Sequence, residues 1–319
     1  MADINNDGWD DIYVGNDFHE NDYLYINKGN GTFTDELDQH IMHTSQFSMG
    51  VDIGDINNDA YPEIITLDML PEDPYILKRS LGEDEYNLFN MKLKYGYNHQ
   101  YTRNNLQFNR GNGMFSEIGF YSGVAATDWS WSPLFIDFDN DGRKDLFISN
   151  GIPKRLNDID YVNYISNDQI QSRIRDNKMD QKDLAFIDKF PQIKLRNKFF
   201  TNNGDLRFTD RKNGIANDKP TYSNGAVYAD FDNDGDIDFI LGNLGENSRL
   251  KASVKEPVRM YYDDFDDNGK KDQVMSYYLD GQEIPYANKS ELEKQMPAMK
   301  KKFLYAEDFA KATMDQIFD

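Results

Sequence analysis

Short apolar or β-prone runs recur along the chain, each entered through an acidic turn: Ile12-Tyr13-Val14, Ile64-Ile65-Thr66, Leu146-Phe147-Ile148, Phe239-Ile240-Leu241 and the weaker Val274-Met275. Runs of this length bounded by Asp, Asn and Gly predict strands. A second pattern, Asn-x-Gly-x-x-x-Phe, follows the first three runs at Asn27, Gly29, Phe33, at Asn109, Gly111, Phe115 and at Asn202, Gly204, Phe208. It comes each time after a β-rich stretch such as Tyr23-Leu24-Tyr25-Ile26. Asn and Gly tolerate positive φ, so these are hairpin turns.

The two patterns keep phase. From the turn phenylalanine to the next acidic turn the interval is constant, 33 to 55, 115 to 137 and 208 to 230, and the aromatic-Ser pairs Phe47-Ser48, Trp129-Ser130 and Tyr222-Ser223 precede those turns at one offset. Each unit therefore reads strand, acidic loop, strand, connection, strand, hairpin, strand. Four antiparallel strands per repeat predict the blade of a β-propeller, in which neighbouring blades bury shared apolar faces. The expected fold is all-β with helical insertions. About five blades are visible over residues 1–280, with insertions at 69–103 and 152–196 and a helical segment at 281–319. The second insertion carries Ile159, Val162, Ile165, Ile170 and Ile174 at helix-like spacing, and the C-terminal segment is broken at Pro297.

The acidic turns carry the candidate chemistry. In chain order they are Asp3, Asn5, Asp7, Trp9 and Asp11; Asp55, Asn57, Asp59, Tyr61 and Glu63; Asp137, Asp139, Asp141, Arg143 and Asp145; Asp230, Asp232, Asp234, Asp236 and Asp238; and Asp264, Asp266, Asn268, Lys270 and Asp272. Positions 0, 2, 4 and 8 supply side-chain oxygens, whereas position 6 varies without restriction, as expected where only its carbonyl is used. Calcium takes six to eight hard oxygens at flexible geometry, and alternate residues of a tight loop can point at one ion. Up to five calcium ions are predicted. An EF-hand needs a Glu at the twelfth position, which here holds Val14, Thr66, Ile148, Leu241 and Met275. Magnesium demands octahedral geometry and keeps its waters, so it suits these loops less well. Position 5 is glycine in four loops and Ala60 in the second, which predicts the weakest site there.

Acidic residues outnumber basic ones 56 to 35, for a formal charge of -21, which repels nucleic-acid phosphates. No stretch approaches the ~18 apolar residues of a membrane span. There is no cysteine, hence no disulfide or thiolate metal site. The chain opens inside the first acidic loop, whose other copies follow an apolar strand, which reads as a fragment or a mature form whose signal could have been lost.

At loops such as Asp137-Phe138-Asp139-Asn140-Asp141-Gly142, and at turns such as Asn27-Lys28-Gly29-Asn30-Gly31, the sequence resembles the VCBS/FG-GAP repeat family, relatives of the integrin α-chain propeller. The stretch Thr127-Asp128-Trp129-Ser130-Trp131 and the insertions resemble bacterial exported proteins that often carry an ASPIC/UnbV region downstream. The resemblance implies a calcium-stabilised propeller at the cell surface or outside the cell, used for adhesion, ligand binding or scaffolding and not for catalysis. A polysaccharide lyase or hydrolase, or a lectin, on a calcium-loaded propeller is the competing expectation. Such an enzyme would gather a base such as His99 or a tyrosine with Arg103 or Lys94.

Three further groups have a bland reading. His40 and His43 form His-x-x-His without an evident third ligand; Ser130 lacks the Gly-x-Ser-x-Gly elbow of a nucleophile; and Tyr95, Tyr97 and Tyr101 with His99 suit packing of the insertion as well as stacking on a sugar. Strand alternation places the acidic loops and the Asn-Gly turns at one end of each blade and both insertions at the other. A protein or glycan partner is therefore expected on the face opposite the acidic loops.

Overall fold

The computed structural model describes residues 1–18, 20–176, 193–212, 219–229, 252–253, 255–266, 268–269 and 271–318, together with the backbone of 238–243. They fall into two compact units, Met1–Tyr164 with Phe186–Asn243, and Ile165–Ala185 with Leu244–Asp319.

In the first unit, β1 (Ile12–Val14), β2 (Tyr23–Asn27) and β3 (Phe33–Asp35) form an antiparallel sheet, preceded by a lone bridge between Ala2 and Asp11. A short helix α1 (Leu37–His40) and β4 (Thr44–Ser45) lead to β5 (Gly50–Gly54) and β6 (Glu63–Leu67). The first insertion then forms α2 (Pro74–Arg79), α3 (Tyr86–Lys94) and β7 (Gln100–Tyr101), the last pairing in parallel with β4. Asp73 starts α2 by accepting the Tyr75 and Ile76 amides, with Pro74 fitting the first turn. The chain returns as β8 (Asn105–Asn109) and β9 (Phe115–Glu117), completing a four-stranded antiparallel sheet in the order β5-β6-β8-β9.

After α4 (Gly119–Ser122) the pattern repeats. Strands β10 (Ser130–Ile136) and β11 (Asp145–Asn150) are followed by helix α5 (Ile159–Ile165) of the second insertion, and β12 (Lys198–Asn202) and β13 (Phe208–Asp210) finish a second sheet, β10-β11-β12-β13. A two-stranded sheet of β14 (Ser223–Ala229) and β15 (Asp238–Asn243) follows. These sheets stack face to face. Along β6 every residue is buried, and its side chains divide by parity: Ile64 packs with Tyr13, Leu24 and Ile26 of the preceding sheet, while Ile65 and Leu67 pack with Phe135, Leu146 and Ile148 of the next. A strand buried on both faces needs this continuous apolar run, and burying each such side chain contributes about 1.5–3 kcal/mol. The first strands approach closely, since a Cβ added to Gly50 would lie 1.9 Å from the Trp131 carbonyl oxygen.

The second unit begins with α6 (Asp168–Arg175) of the second insertion, capped by Asn167; residues 177–192, between α6 and the return strand, lie outside the described residues. Its sheet is β16 (Arg259–Asp263), β17 (Asp272–Leu279) and β18 (Gln282–Pro285). The weak run Val274-Met275 thus grows into a strand of 8 residues, turned at Asp280-Gly281 with φ of 51° and 79°. Four short helices follow, α7 (Lys289–Gln295), α8 (Met299–Lys302), α9 (Ala306–Ala310) and α10 (Met314–Phe318), with the expected break at Pro297. Their Leu292, Met296, Phe309, Met314 and Ile317 bury Val274 of β17.

Candidate metal centres

Each of the four described acidic loops is folded by its own first aspartate. Asp3 Oδ1 and Oδ2 accept the amides of Asp7 and Gly8 at 3.0 and 2.8 Å, and Asp55 does the same for Asp59 and Ala60 at 3.2 and 2.8 Å. Asp137 holds Asp141 and Gly142 at 3.1 and 2.8 Å, and Asp264 holds Asn268 and Gly269 at 2.9 and 2.7 Å. The position-5 residue has positive φ in all four, 89° at Gly8, 69° at Ala60, 86° at Gly142 and 81° at Gly269. Only Ala60 carries a Cβ there, which costs roughly 1–2 kcal/mol. The fourth loop, Asp230, Asp232, Asp234 and Asp236 with the Asp238 side chain, lies outside the described residues, as does Lys270 of the fifth.

The position-8 acid sits beneath each loop. Asp11, Glu63, Asp145 and Asp272 are all buried, and each accepts the amide of position 1: Ile4, Ile56, Phe138 and Phe265. Burial raises all four carboxyls, Glu63 up to about 8, with Asp59 and Asp55 adding to the effect. In the third loop, carboxylate oxygens of Asp137, Asp139 and Asp141 lie within 4.8 Å of one another, and so do those of Asp264, Asp266 and Asp272 in the fifth. In the fifth loop Oδ1 of Asp266 is buried with no hydrogen-bond donor. Convergent hard oxygens, with buried lone pairs to spare, are a donor set that fits a divalent cation taking oxygen ligands.

The first three loops and the first two Asn-x-Gly turns fall within matches to a known repeat. Residues 3–66 and 96–148 match the model of the FG-GAP-like repeat. These segments are FG-GAP-like repeats. No curated protein matches the chain.

Within the FG-GAP-like repeats the Asn-x-Gly turn is part of the loop end. Asn27, Asn109 and Asn202 each accept the amide of their own glycine, at 3.0, 3.1 and 3.0 Å, and Asn27 and Asn202 donate their backbone amides to Asp11 and Asp145 at 2.8 Å. The position-6 side chain lies on that glycine: a Cβ on Gly29 would meet Trp9 at 2.8 Å, and one on Gly111 would meet Tyr61 at 3.0 Å. So position 6 is not free of side-chain duty, and Trp9 and Tyr61 pack where sequence reading assigned only a carbonyl. Sequence reading also passed over position 3, where Asn6, Asn58 and Asn140 have φ of 60°, 61° and 55°. Its signal was available, because asparagine tolerates the left-handed region better than other residues with a side chain.

The opposite end of the sheets carries a second repeated device that the motif search missed. Asp22, Asn104 and Asn197, each five residues before its turn asparagine, accept the amides of Asn16, Asp68 and Asn150 at 2.8, 2.8 and 3.0 Å. Burial raises Asp22 and Asp68 to about 6. Ser130 belongs to this layer; it is buried and bonded to Thr127 and Asn150. His40 meets Gly113 and Glu36, whereas His43 meets Arg103 and Glu117, so the two rings serve different partners. Arg103 lies over Tyr101 at 4.7 Å and beside Glu117, and Phe89 stacks on Tyr101 and lies tilted to His99, 5.9 Å from each ring. Tyr95 is exposed.

The insertions interlock here. Asp128, with φ of 64°, pairs with fully buried Arg155, which also reaches Ser80 at 3.3 Å, while Arg79 pairs with Asp158 at 2.7 Å.

Proposed function

We propose that the chain is a non-catalytic binding module of the extracellular or cell-surface kind, built of consecutive propeller blades that calcium stabilises, with up to five ions held by the five acidic loops. FG-GAP-like repeats occur in binding and adhesion modules in general. The observation that carries the calcium reading is the convergence of carboxylate oxygens, those of Asp137, Asp139 and Asp141 and those of Asp264, Asp266 and Asp272 each lying within 4.8 Å of one another. A protein or glycan partner belongs on the insertion end, where Tyr75, Tyr86 and Tyr95 are exposed.

Melting curves with calcium and with excess chelator test the reading, alongside elemental analysis of bound metal. A site held at a hundred times its Kd adds about 2.7 kcal/mol, so stripping several sites should lower Tm by about 10 °C or more. Equal melting curves for protein shown to hold calcium and protein shown to be stripped of it would refute calcium stabilisation. For the partner end, binding to a glycan array and to cell-surface proteins should disappear when residues 74–95 are replaced by a Gly-Asn turn. Retention of binding would place the partner elsewhere.

A further inference from the structure

In the first two acidic loops the position-3 asparagine reaches out of its own loop. Asn6 donates from Nδ2 to the carbonyl of Ala60 at 2.8 Å, and Asn58 donates to the carbonyl of Gly142 at 2.9 Å. In both cases the donor is position 3 of one acidic loop and the acceptor is position 5 of the next. Both asparagines make this bond from the left-handed conformation, with φ of 60° and 61°. The acceptor is equally placed: the amides of Ala60 and Gly142 are the groups that Asp55 and Asp137 grip. A return contact runs the other way. Asn109 donates to the Ile4 carbonyl at 3.0 Å and Asn202 to the Ile56 carbonyl at 2.8 Å, tying the turn of each repeat to position 1 of the preceding loop.

We infer that Asn6 and Asn58 are positioning residues that couple successive metal loops, so that filling one loop prepares its neighbour. The inference rests on the calcium reading above. A wrapped loop fixes its position-3 asparagine, the asparagine holds the turn of the next loop, and that turn sets the first aspartate of the next site. Coupling of this kind is reciprocal, so the second loop supports the first as much as the reverse. It needs no large movement, because ordering one loop reduces the ordering left for the other. Asn140 of the third loop has the same conformation, with φ of 55°.

Trp9 provides a local reporter, being the tryptophan of the first loop, while Trp129 and Trp131 lie at the start of β10, the end away from its acidic loop. Terbium bound at the first loop is read by emission under tryptophan-selective excitation. In the parent chain, Asp55→Ala in the second loop should weaken terbium at the first by roughly two- to ten-fold, the span of one net hydrogen bond. In an Asn6→Gly background, which keeps the freedom to adopt positive φ and removes only the donor, the same Asp55→Ala should have no effect on the first loop. An equal loss in both backgrounds, or no loss in the parent, overturns the coupling and leaves the calcium reading intact. Absence of bound terbium in the parent overturns the calcium reading and the coupling with it. Should Asn6→Gly fail to fold, Asn58→Gly with Asp137→Ala, read by tyrosine-sensitised emission from Tyr61, asks the same question of the second and third loops.

Discussion

The two ends of the stacked sheets are held by different means. At the loop end each repeat copies the last: first aspartate to its own turn, buried acid to position 1, turn asparagine to its own glycine. At the insertion end a repeated layer of Asp22, Asn104 and Asn197 is overlaid by contacts that occur once, Arg155 with Asp128 and Arg79 with Asp158. The difference teaches where the repeat is constrained and where it is free. A loop whose first aspartate grips its own turn amides keeps its spacing from copy to copy. The other end can accept chain insertions, provided that the buried charges they bring find partners.

The largest predicted effect separates the ends. Arg155→Met leaves Asp128 buried without its counter-ion, a loss of about 3–5 kcal/mol, and should lower Tm by roughly 10 °C. Calcium stoichiometry should stay unchanged by calorimetric titration, and a loss of calcium sites in a folded variant would show that the ends are not independent.

The next effect is on pH dependence at the insertion end. Burial raises Asp22 and Asp68 to about 6 in the folded protein, against 3.8 as the ordinary value. The folded state therefore holds more protons than the unfolded state between those values, and stability falls as pH rises from about 4 to about 6, then levels. Each group should account for on the order of 2–3 kcal/mol of that slope. The loop acids slope the same way in calcium-free protein, so the comparison is between the parent and Asp22→Asn or Asp68→Asn, all in chelator. Urea unfolding at several pH values should show a shallower slope in each variant; parallel slopes would mean that neither carboxyl takes up its proton on folding.

The smallest effect sharpens the contrast within the loop end. Ala60→Gly removes the Cβ from a residue at φ of 69° and should favour the wrapped second loop by about 1 kcal/mol, near five-fold in calcium affinity. Unchanged affinity at that site would mean that the alanine is not what distinguishes it from the glycine loops.

Much of the repeated end was legible in the sequence, because the hydrogen bonds that wrap each described loop close within eight residues. The spacing of Asp137, Asp139, Asp141 and Gly142 is enough to set a tight loop with converging oxygens, and the run Ile64-Ile65-Thr66 is enough to set a strand buried on both faces. The turn at Asp280-Gly281 was equally local, an Asp-Gly pair of the kind that favours tight hairpins, and it was overlooked because it lacks the Asn-x-Gly form of the other repeats.

What tertiary structure decided is everything that depends on which repeat lies beside which. The bond from Asn6 to Ala60 spans 54 positions and the contact of Arg155 with Ser80 spans 75, distances over which no residue pattern names a partner. The C-terminal segment shows the same division in one place. Its polar and apolar pattern specified helices, and Asn288 with Glu291 capped the first of them. That these helices bury Val274 of a three-stranded sheet follows only from packing, because an amphipathic helix states that it needs an apolar surface without stating which one.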